Sequence, residues 1–497
     1  MKALLLYRDR DFDSKAAPPY GSEELIQDLE IETLLEAMSD GDKFIHDVAK
    51  KVILSSLRDT EEIEYRQHII SDCLEHEDVI RELYKITVEA IQGQKKVWRF
   101  TWRSPESILN GAVSSLELFV GDLLRLRRVA DENVAMFRSR GFTRFFAMLS
   151  QELNDEYFDL VQDHLTRLKF PNGIQLSAEL GKGNKGSNYV LHLPGDERQS
   201  WIKRVLKVKP PNSFEVAERD ISGHEALSEL RERGLNRVAN ALAQSTDHIL
   251  SFFEMLRFEL AFYVGCLNLH ERLSQKGEPT SLPTVSPVAK GSLSAQGLYD
   301  VCLTLRLDSR AVGNVLDADN KKVILITGAN QGGKTTFLRS LGLAFLMMQS
   351  GMFVGAENFS ASVCNGIYTH FKRKEDASMK SGKLDEELGR MSKIADHIEP
   401  GCVLLCNESF SSTNEREGSE IALQIVRAMV DGSIRVFYVT HLYELAEWLF
   451  KSKMETIIFL RAERSADGER TFKLVEGRPL STSYGEDIYR KVFGQVA

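Results

Sequence analysis

Apolar residues recur at three- and four-residue spacing over two long stretches of the chain and gather into short unbroken runs over its last third, so a helical part precedes an α/β part. From Ile45 to about Lys169 the periodicity is helical throughout. Leu109, Val113, Leu116, Val120 and Leu123 alternate steps of four and three, the seam of two packed or coiled helices, and a plain helical bundle accounts for that stripe. Ahead of it, residues 1–45 are mixed and acidic with a turn at Pro18-Pro19, and only short helices are expected around Glu23–Leu29 and Glu32–Met38. Between Phe170 and Pro211 glycines (Gly173, Gly181, Gly183, Gly186) interrupt alternating pieces such as Tyr189-Val190-Leu191-His192-Leu193, which predicts a β-hairpin insertion over about 170–211. Helical spacing returns from Ser213 to Arg272. There Ile249, Phe252, Phe253, Leu256, Leu260, Tyr263, Val264 and Leu267 make one wide apolar face, as in a core helix.

A stretch rich in proline, glycine and serine follows, from Gly277-Glu278-Pro279 through Pro283, Pro287 and Gly291, and reads as a linker. Beyond it, Val323–Ile326, Val403–Cys406, Val436–Val439 and Thr456–Leu460 are apolar runs separated by helical segments, the pattern of a mainly parallel sheet. The expected organisation is an N-terminal segment 1–45, a mainly α-helical domain 46–275 carrying the small β insertion, a linker 276–297 and an α/β domain 298–497.

Composition adds little to this and excludes some classes. With 43% hydrophobic and 27% charged residues the chain reads as globular. Its net charge of −9 offers no long-range attraction for nucleic acid, so any such contact requires a local basic patch. The six cysteines are scattered without C-x-x-C spacing and read as reduced core residues. Ala3-Leu4-Leu5-Leu6-Tyr7 is too short for a signal peptide, and no apolar run reaches a membrane span, so a cytoplasmic protein without a membrane partner is expected.

The chemistry concentrates in the last third. Gly328-Ala329-Asn330-Gln331-Gly332-Gly333-Lys334-Thr335-Thr336 fits G-x-x-x-x-G-K-[ST], with a strand pattern before it and a helical pattern after it. In such a loop, backbone amides converge on an anion, Lys334 neutralises β- and γ-phosphates, the Thr335 hydroxyl ligates Mg2+, and the helix dipole adds to the attraction. Leu404-Leu405-Cys406-Asn407-Glu408 is a buried strand ending in a polar pair, where a P-loop ATPase keeps its second acidic motif. Glu408 can orient water on the γ-phosphate as a general base; the alternative is a strand-end cap without catalysis. An Asp normally precedes that Glu; Asn407 keeps an acceptor oxygen but loses a charge, so weaker Mg2+ binding and slow turnover are expected. Thr440-His441 leaves the next strand beside the phosphate site. His441 either senses the γ-phosphate or the attacking water, or is an ordinary loop histidine.

Taken with Gly351-Met352-Phe353-Val354-Gly355-Ala356, with Thr413 and Gly418 after Asn407-Glu408, and with Leu442-Tyr443-Glu444-Leu445 and Ser483-Tyr484-Gly485, these motifs stand in the order and approximate spacing of one family. The chain resembles the MutS family of DNA mismatch repair over about residues 298–490. The likeness extends more weakly over 45–272, where Ile63-Glu64-Tyr65-Arg66-Gln67 is similar to the start of the family's core and lever helices. The resemblance implies an ATPase domain of the ABC/MutS type behind a helical core and lever region. It places ATP phosphates and Mg2+ on Gly328, Asn330, Gly333, Lys334 and Thr335, catalysis on Glu408 and a switch on His441. It also implies a homodimer with composite sites, for which Ser381 is the candidate acting in trans, although the family's Ser-x-Phe-x-x-Glu pattern is not kept there. Ser409-Phe410-Ser411-Ser412 departs from the family's glycine-containing loop, and Gln331 stands for a common Met. With about 45 residues ahead of the lever region, mismatch-recognition and connector domains are not expected. The formal Phe-x-Glu match, Phe252-Phe253-Glu254, falls inside an amphipathic helix and reads as core.

Two basic-aromatic clusters, Lys95–Arg103 and Trp201–Lys209 with Lys203, Arg204, Lys207 and Lys209, can hold DNA phosphates or can be solvated edges of helices and strands. Arg125, Arg127, Arg128, Arg138, Arg140 and Arg144 read as charged helix faces. The function expected is an ATP-driven dimeric clamp on branched, recombination or repair DNA without mismatch reading. The alternative is a nucleotide-gated scaffold or protein-binding clamp with little turnover.

Overall fold

A computed structural model describes residues 1–97, 104–171, 173–192, 216–329, 331–373, 382–464 and 470–479. By its internal contacts the chain forms two units: residues 1–3, 81–137 and 143–257 make the first, and residues 4–80, 138–142 and 258–497 the second.

The first unit is helical. It holds the later part of α5 (Glu77–Val97), α6 (Pro105–Asn133), most of α7 (Arg140–Glu152), α8 (Asp155–Leu168) and the first two-thirds of α9 (Ile221–Gln275). Ser104 starts α6 by accepting the Ser107 amide, with Pro105 at the first helical position, where a missing N–H costs nothing. The Leu109, Val113 and Leu116 seam closes on Leu165 of α8 and on Leu235 and Ala239 of α9. By length and composition α6 could also cross a membrane, with mean hydropathy 1.3 over its best window, against the expectation that no segment reaches a membrane span; its Leu109, Val113 and Leu116 seam lies in the core. Strands β1 (Gln175–Leu180) and β2 (Gly186–His192) pair antiparallel as a hairpin inside the expected insertion. Arg125 is paired with Glu82, Glu89 and Asp122, and Arg128 with Glu132, as charged helix faces. Phe253 of the formal wedge match is fully buried, and Phe252 nearly so.

The second unit is built on two sheets. The smaller joins β3 (Thr284–Ser286), β4 (Leu293–Leu298), β5 (Asn314–Asp317) and β7 (Asn358–Ser362) in the order β3-β7-β4-β5. Residues 276–297, expected to be a linker, therefore contribute two strands. Their serine content serves a buried hydroxyl cluster, in which Ser286 and Ser292 lie 2.5 Å apart and both approach Ser362. The larger sheet has the order β12-β11-β6-β10-β9-β8, formed by β6 (Val323–Thr327), β8 (Ile367–Phe371), β9 (Val403–Asn407), β10 (Arg435–Val439), β11 (Ile457–Arg464) and β12 (Arg470–Glu476). All neighbours are parallel except β12, which returns antiparallel beside β11. Every residue of β6 is buried, as its continuous Val-Ile-Leu-Ile run requires of a strand covered on both faces. Helix α11 (Lys334–Gln349) follows β6. Helices α12 (Lys383–Ala395), α13 (Glu415–Asp431) and α14 (Tyr443–Lys451) follow β8, β9 and β10, the crossover pattern of a doubly wound sheet.

The N-terminal residues of this unit are not a detached segment. Leu4, Leu5 and Leu6 are buried, and their carbonyls accept from Tyr65 Oη, Tyr263 Oη and Arg66 Nε, while the Leu5 amide donates to Glu259. Arg66, itself fully buried, also donates to the Ser350 carbonyl at the end of α11. Helices α1 (Ser22–Asp28) and α2 (Ile31–Ser39) lie close to the expected positions, α1 against β8 and α2 against α10 (Val301–Arg306). Contacts thus join residues 4–80 to the α/β part, where sequence composition placed a boundary at 45–46.

Candidate functional site

The site forms where β6, β9 and β10 end side by side. Val439 pairs with both Ile326 and Asn407, so the loops after these strands leave the sheet at one edge, the place where open parallel sheets hold ligands. After β6 the chain turns through Gly328 at φ 118° and Gly333 at φ 87°, regions open to glycine. A Cβ on Gly328 would also sit 2.9 Å from the Ala462 amide nitrogen on β11, so backbone and neighbour both demand glycine. Gln331 takes φ 59° without being glycine, and its Oε1 accepts from Arg470 Nη1 at 2.8 Å.

Lys334 opens α11 and folds back over the loop, donating to the carbonyls of Gly328 at 2.9 Å and Ala329 at 2.8 Å. Burial lowers its pKa to about 8, against the opposing pull of the Glu408 charge. Next to it the Thr335 hydroxyl donates to Asn407 Oδ1 at 3.0 Å. Glu408 stands at φ 54°, its amide donating a hydrogen bond to the Val439 carbonyl at 2.9 Å, and its Oε1 lies 3.0 Å from His441 Nε2. That histidine contact, with the charges of Lys334 and Lys372, holds the Glu408 carboxyl below the usual range despite partial burial. A left-handed glutamate at a sheet edge is the kind of stored strain that clusters at functional sites.

Gly332, Gly333, Lys334, Thr335, Thr336, Gln331 and Glu408 border a cavity of about 490 Å³, a volume in the range of small-ligand sites. Its far wall was not legible in the sequence. Leu307, Val312 and Phe472 supply apolar surface suited to a flat ring, and Arg310 supplies a cation. Tyr299 borders the same space with a buried hydroxyl that has no partner among the described residues. Asn314 is consumed structurally, its Oδ1 accepting the Leu474 amide.

Of the residues singled out from sequence, the structure gathers Gly328, Ala329, Gln331, Gly332, Gly333, Lys334, Thr335, Thr336, Asn407, Glu408 and His441 around one loop edge. Asn330, Ser381, the Ser483-Tyr484-Gly485 motif and the basic residues Lys203, Arg204, Lys207 and Lys209 lie outside the described residues. Among the described residues no group of three or more His, Cys, Asp or Glu side chains could hold a metal ion by itself. Mg2+ keeps most of its water and uses few protein oxygens beside substrate phosphates; the Thr335 hydroxyl and the Asn407 carbonyl oxygen, 3.0 Å apart, would serve it, with one charge fewer than an Asp would give.

Comparison with known proteins agrees with this geometry. The family model for the MutS2 N-terminal domain matches residues 58–276, and that for MutS domain V, a P-loop ATPase domain, matches residues 324–493. The human MutS protein homolog 4 is 22% identical over 303 residues, 59% of this chain and 31% of that protein. The DNA mismatch repair protein MutS of Syntrophomonas wolfei is 23% identical over 381 residues, 69% of this chain and 44% of that protein. The Endonuclease MutS2 of Thermus thermophilus is 31% identical over 184 residues, 37% of this chain and 24% of that protein. The chain spans less than half the length of each of these relatives.

Proposed function

The chain belongs to the MutS family, and from that premise we propose that it is a DNA-associated ATPase that works as an ATP-driven dimeric clamp on branched, recombination or repair DNA. The observation that carries the ATPase reading is the convergence of Lys334, the Thr335–Asn407 pair and the Glu408–His441 pair on one cavity edge. On nucleotide entry Lys334 exchanges its two loop carbonyls for phosphate oxygens. Thr335 and Asn407 would hold Mg2+ by hydroxyl and amide oxygen, and the ion would supply charge neutralisation for the phosphates. Glu408, ionised and oriented by His441, accepts a proton from the attacking water, and His441 registers the γ-phosphate through that same contact.

Family membership supports the DNA and dimer parts of this reading. Ser381 acting on the partner's nucleotide, and Lys203, Arg204, Lys207 and Lys209 on DNA phosphates, complete it. Two substitutions relative to the family's pattern, Asn407 and the loop after Glu408, favour a second reading in which bound nucleotide sets the dimer's shape with little turnover. Sedimentation with and without ATP, alongside DNA binding over a salt series, tests the clamp. An ATP-dependent dimer is expected, whose salt-sensitive DNA affinity falls on charge reversal at Lys203, Arg204, Lys207 and Lys209. A monomer under all conditions, or binding indifferent to salt and to those charges, contradicts it.

A further inference from the structure

Glu408 is held in an unfavourable backbone conformation by a loop that departs from the glycine-containing pattern of the family. Phe410, two residues on, also has positive φ, 61°, although it is bulky, fully buried and stacked on His370 at 5.3 Å. Two left-handed non-glycine residues within three positions are strained, so their surroundings must over-determine the loop. Part of the restraint is visible as hydrogen bonds. Tyr438 Oη donates to the Ser409 carbonyl at 2.7 Å, and Ser409 Oγ lies 2.7 Å from both His370 Nδ1 and the His370 carbonyl.

The remaining restraint bears on Glu408 itself. Ser411 Oγ donates to the Glu408 carbonyl at 2.7 Å, and Lys372 Nζ donates to that same Ser411 oxygen at 2.9 Å. The Lys372 amide donates to the Asn407 carbonyl at 2.9 Å, which fixes the lysine backbone one strand away from the glutamate. From this chain of contacts we propose that Lys372 is a positioning residue for Glu408: through Ser411 it locks the left-handed glutamate in place. The inference rests on the ATPase reading above. Among the described residues, the charged or titratable groups facing Glu408 are His441 from the loop after β10, Lys334 from α11 and Lys372 from the end of β8. Two of these belong to the binding and catalytic machinery already described, and Lys372 is the one beyond it.

Replacing Lys372 by Met removes the ammonium and keeps the stem, whereas Lys372→Arg keeps the charge. Steady-state ATP hydrolysis, with ATP affinity measured in parallel, gives the test, using wild type and Glu408→Ala as upper and lower references. Expected for Lys372→Met is a kcat about tenfold lower with unchanged ATP affinity, because the tether that holds the base in place has gone. Lys372→Arg, which keeps a donor for Ser411, restores most of kcat. Ser411→Ala lowers kcat by a similar factor, and adding Lys372→Met to it costs little more. A Lys372→Met enzyme with wild-type kcat overturns the proposal. So does an equal loss in Met and Arg variants, or a loss of ATP affinity as large as the loss of kcat, which would mark a merely structural lysine. Wild-type turnover no higher than that of Glu408→Ala instead removes the ATPase reading itself, and this inference with it.

Discussion

Lys334 gives the most quantitative handle on the site. Its ammonium is buried against two loop carbonyls, and desolvation lowers its pKa to about 8. Phosphate oxygens stabilise the charged form, so binding favours the protonated lysine, and affinity must fall as pH rises through that value. A group with a pKa of about 8 is about three-quarters charged at pH 7.5 and about one-tenth charged at pH 9. Affinity for a non-hydrolysable ATP analogue should therefore fall about eightfold over that range, ~1.2 kcal/mol, whereas an unshifted lysine would give a change of under about 5%. Titration calorimetry at pH 8 in two buffers of different ionisation enthalpy should register uptake of about half a proton per nucleotide. Lys334→Met should bind weakly and lose the pH dependence without losing its fold, because the lysine serves ligand charge rather than packing. Constant affinity between pH 7.5 and 9, with no proton uptake, would refute the argument.

Two further outcomes follow from buried or missing charge. Asn407→Asp restores a carboxylate beside the Thr335 hydroxyl, so the Mg2+ concentration that half-saturates nucleotide affinity should fall about tenfold, from ~1–2 kcal/mol of added Coulomb attraction; an unchanged Mg2+ dependence would remove Asn407 from the metal's surroundings. Glu259, buried beneath residues 4–6, has its pKa raised to about 8 by desolvation. The folded state then holds a proton that the unfolded state loses above about 4.5, so wild-type stability falls as pH rises from about 4.5 to 8. Glu259→Gln, which keeps an acceptor for the Leu5 amide, should match wild type in urea unfolding near pH 4.5 and exceed it by up to ~5 kcal/mol at pH 8.5; parallel curves would refute this.

What sequence could show was whatever chemistry is local. The phosphate loop declares itself because its glycines, lysine and threonine are consecutive and flanked by a strand and a helix, and the parallel sheet declares itself through unbroken apolar runs. The far wall of the cavity did not, because Leu307, Val312 and Phe472 are ordinary apolar residues brought together only by β5 and β12. Lys372 and Ser411 lie 39 positions apart and meet only because β8 pairs with β9. Composition misread two stretches. Serine and proline over 276–297 suggest a linker, although two of the serines, Ser286 and Ser292, join a buried hydroxyl cluster with Ser362 at a sheet. Leu4, Leu5 and Leu6 looked like a short apolar start, whereas the partners of their backbone groups, Tyr65, Arg66, Glu259 and Tyr263, are supplied by distant helices.

The central claim, a nucleotide site that turns over and answers to DNA, is tested most directly by one measurement. ATP hydrolysis is followed for wild type and Glu408→Ala, each alone and with duplex, branched and single-stranded DNA. The account predicts slow wild-type turnover that one DNA form stimulates, and none above background for Glu408→Ala. Equal rates for the two proteins, unmoved by any DNA, would contradict it.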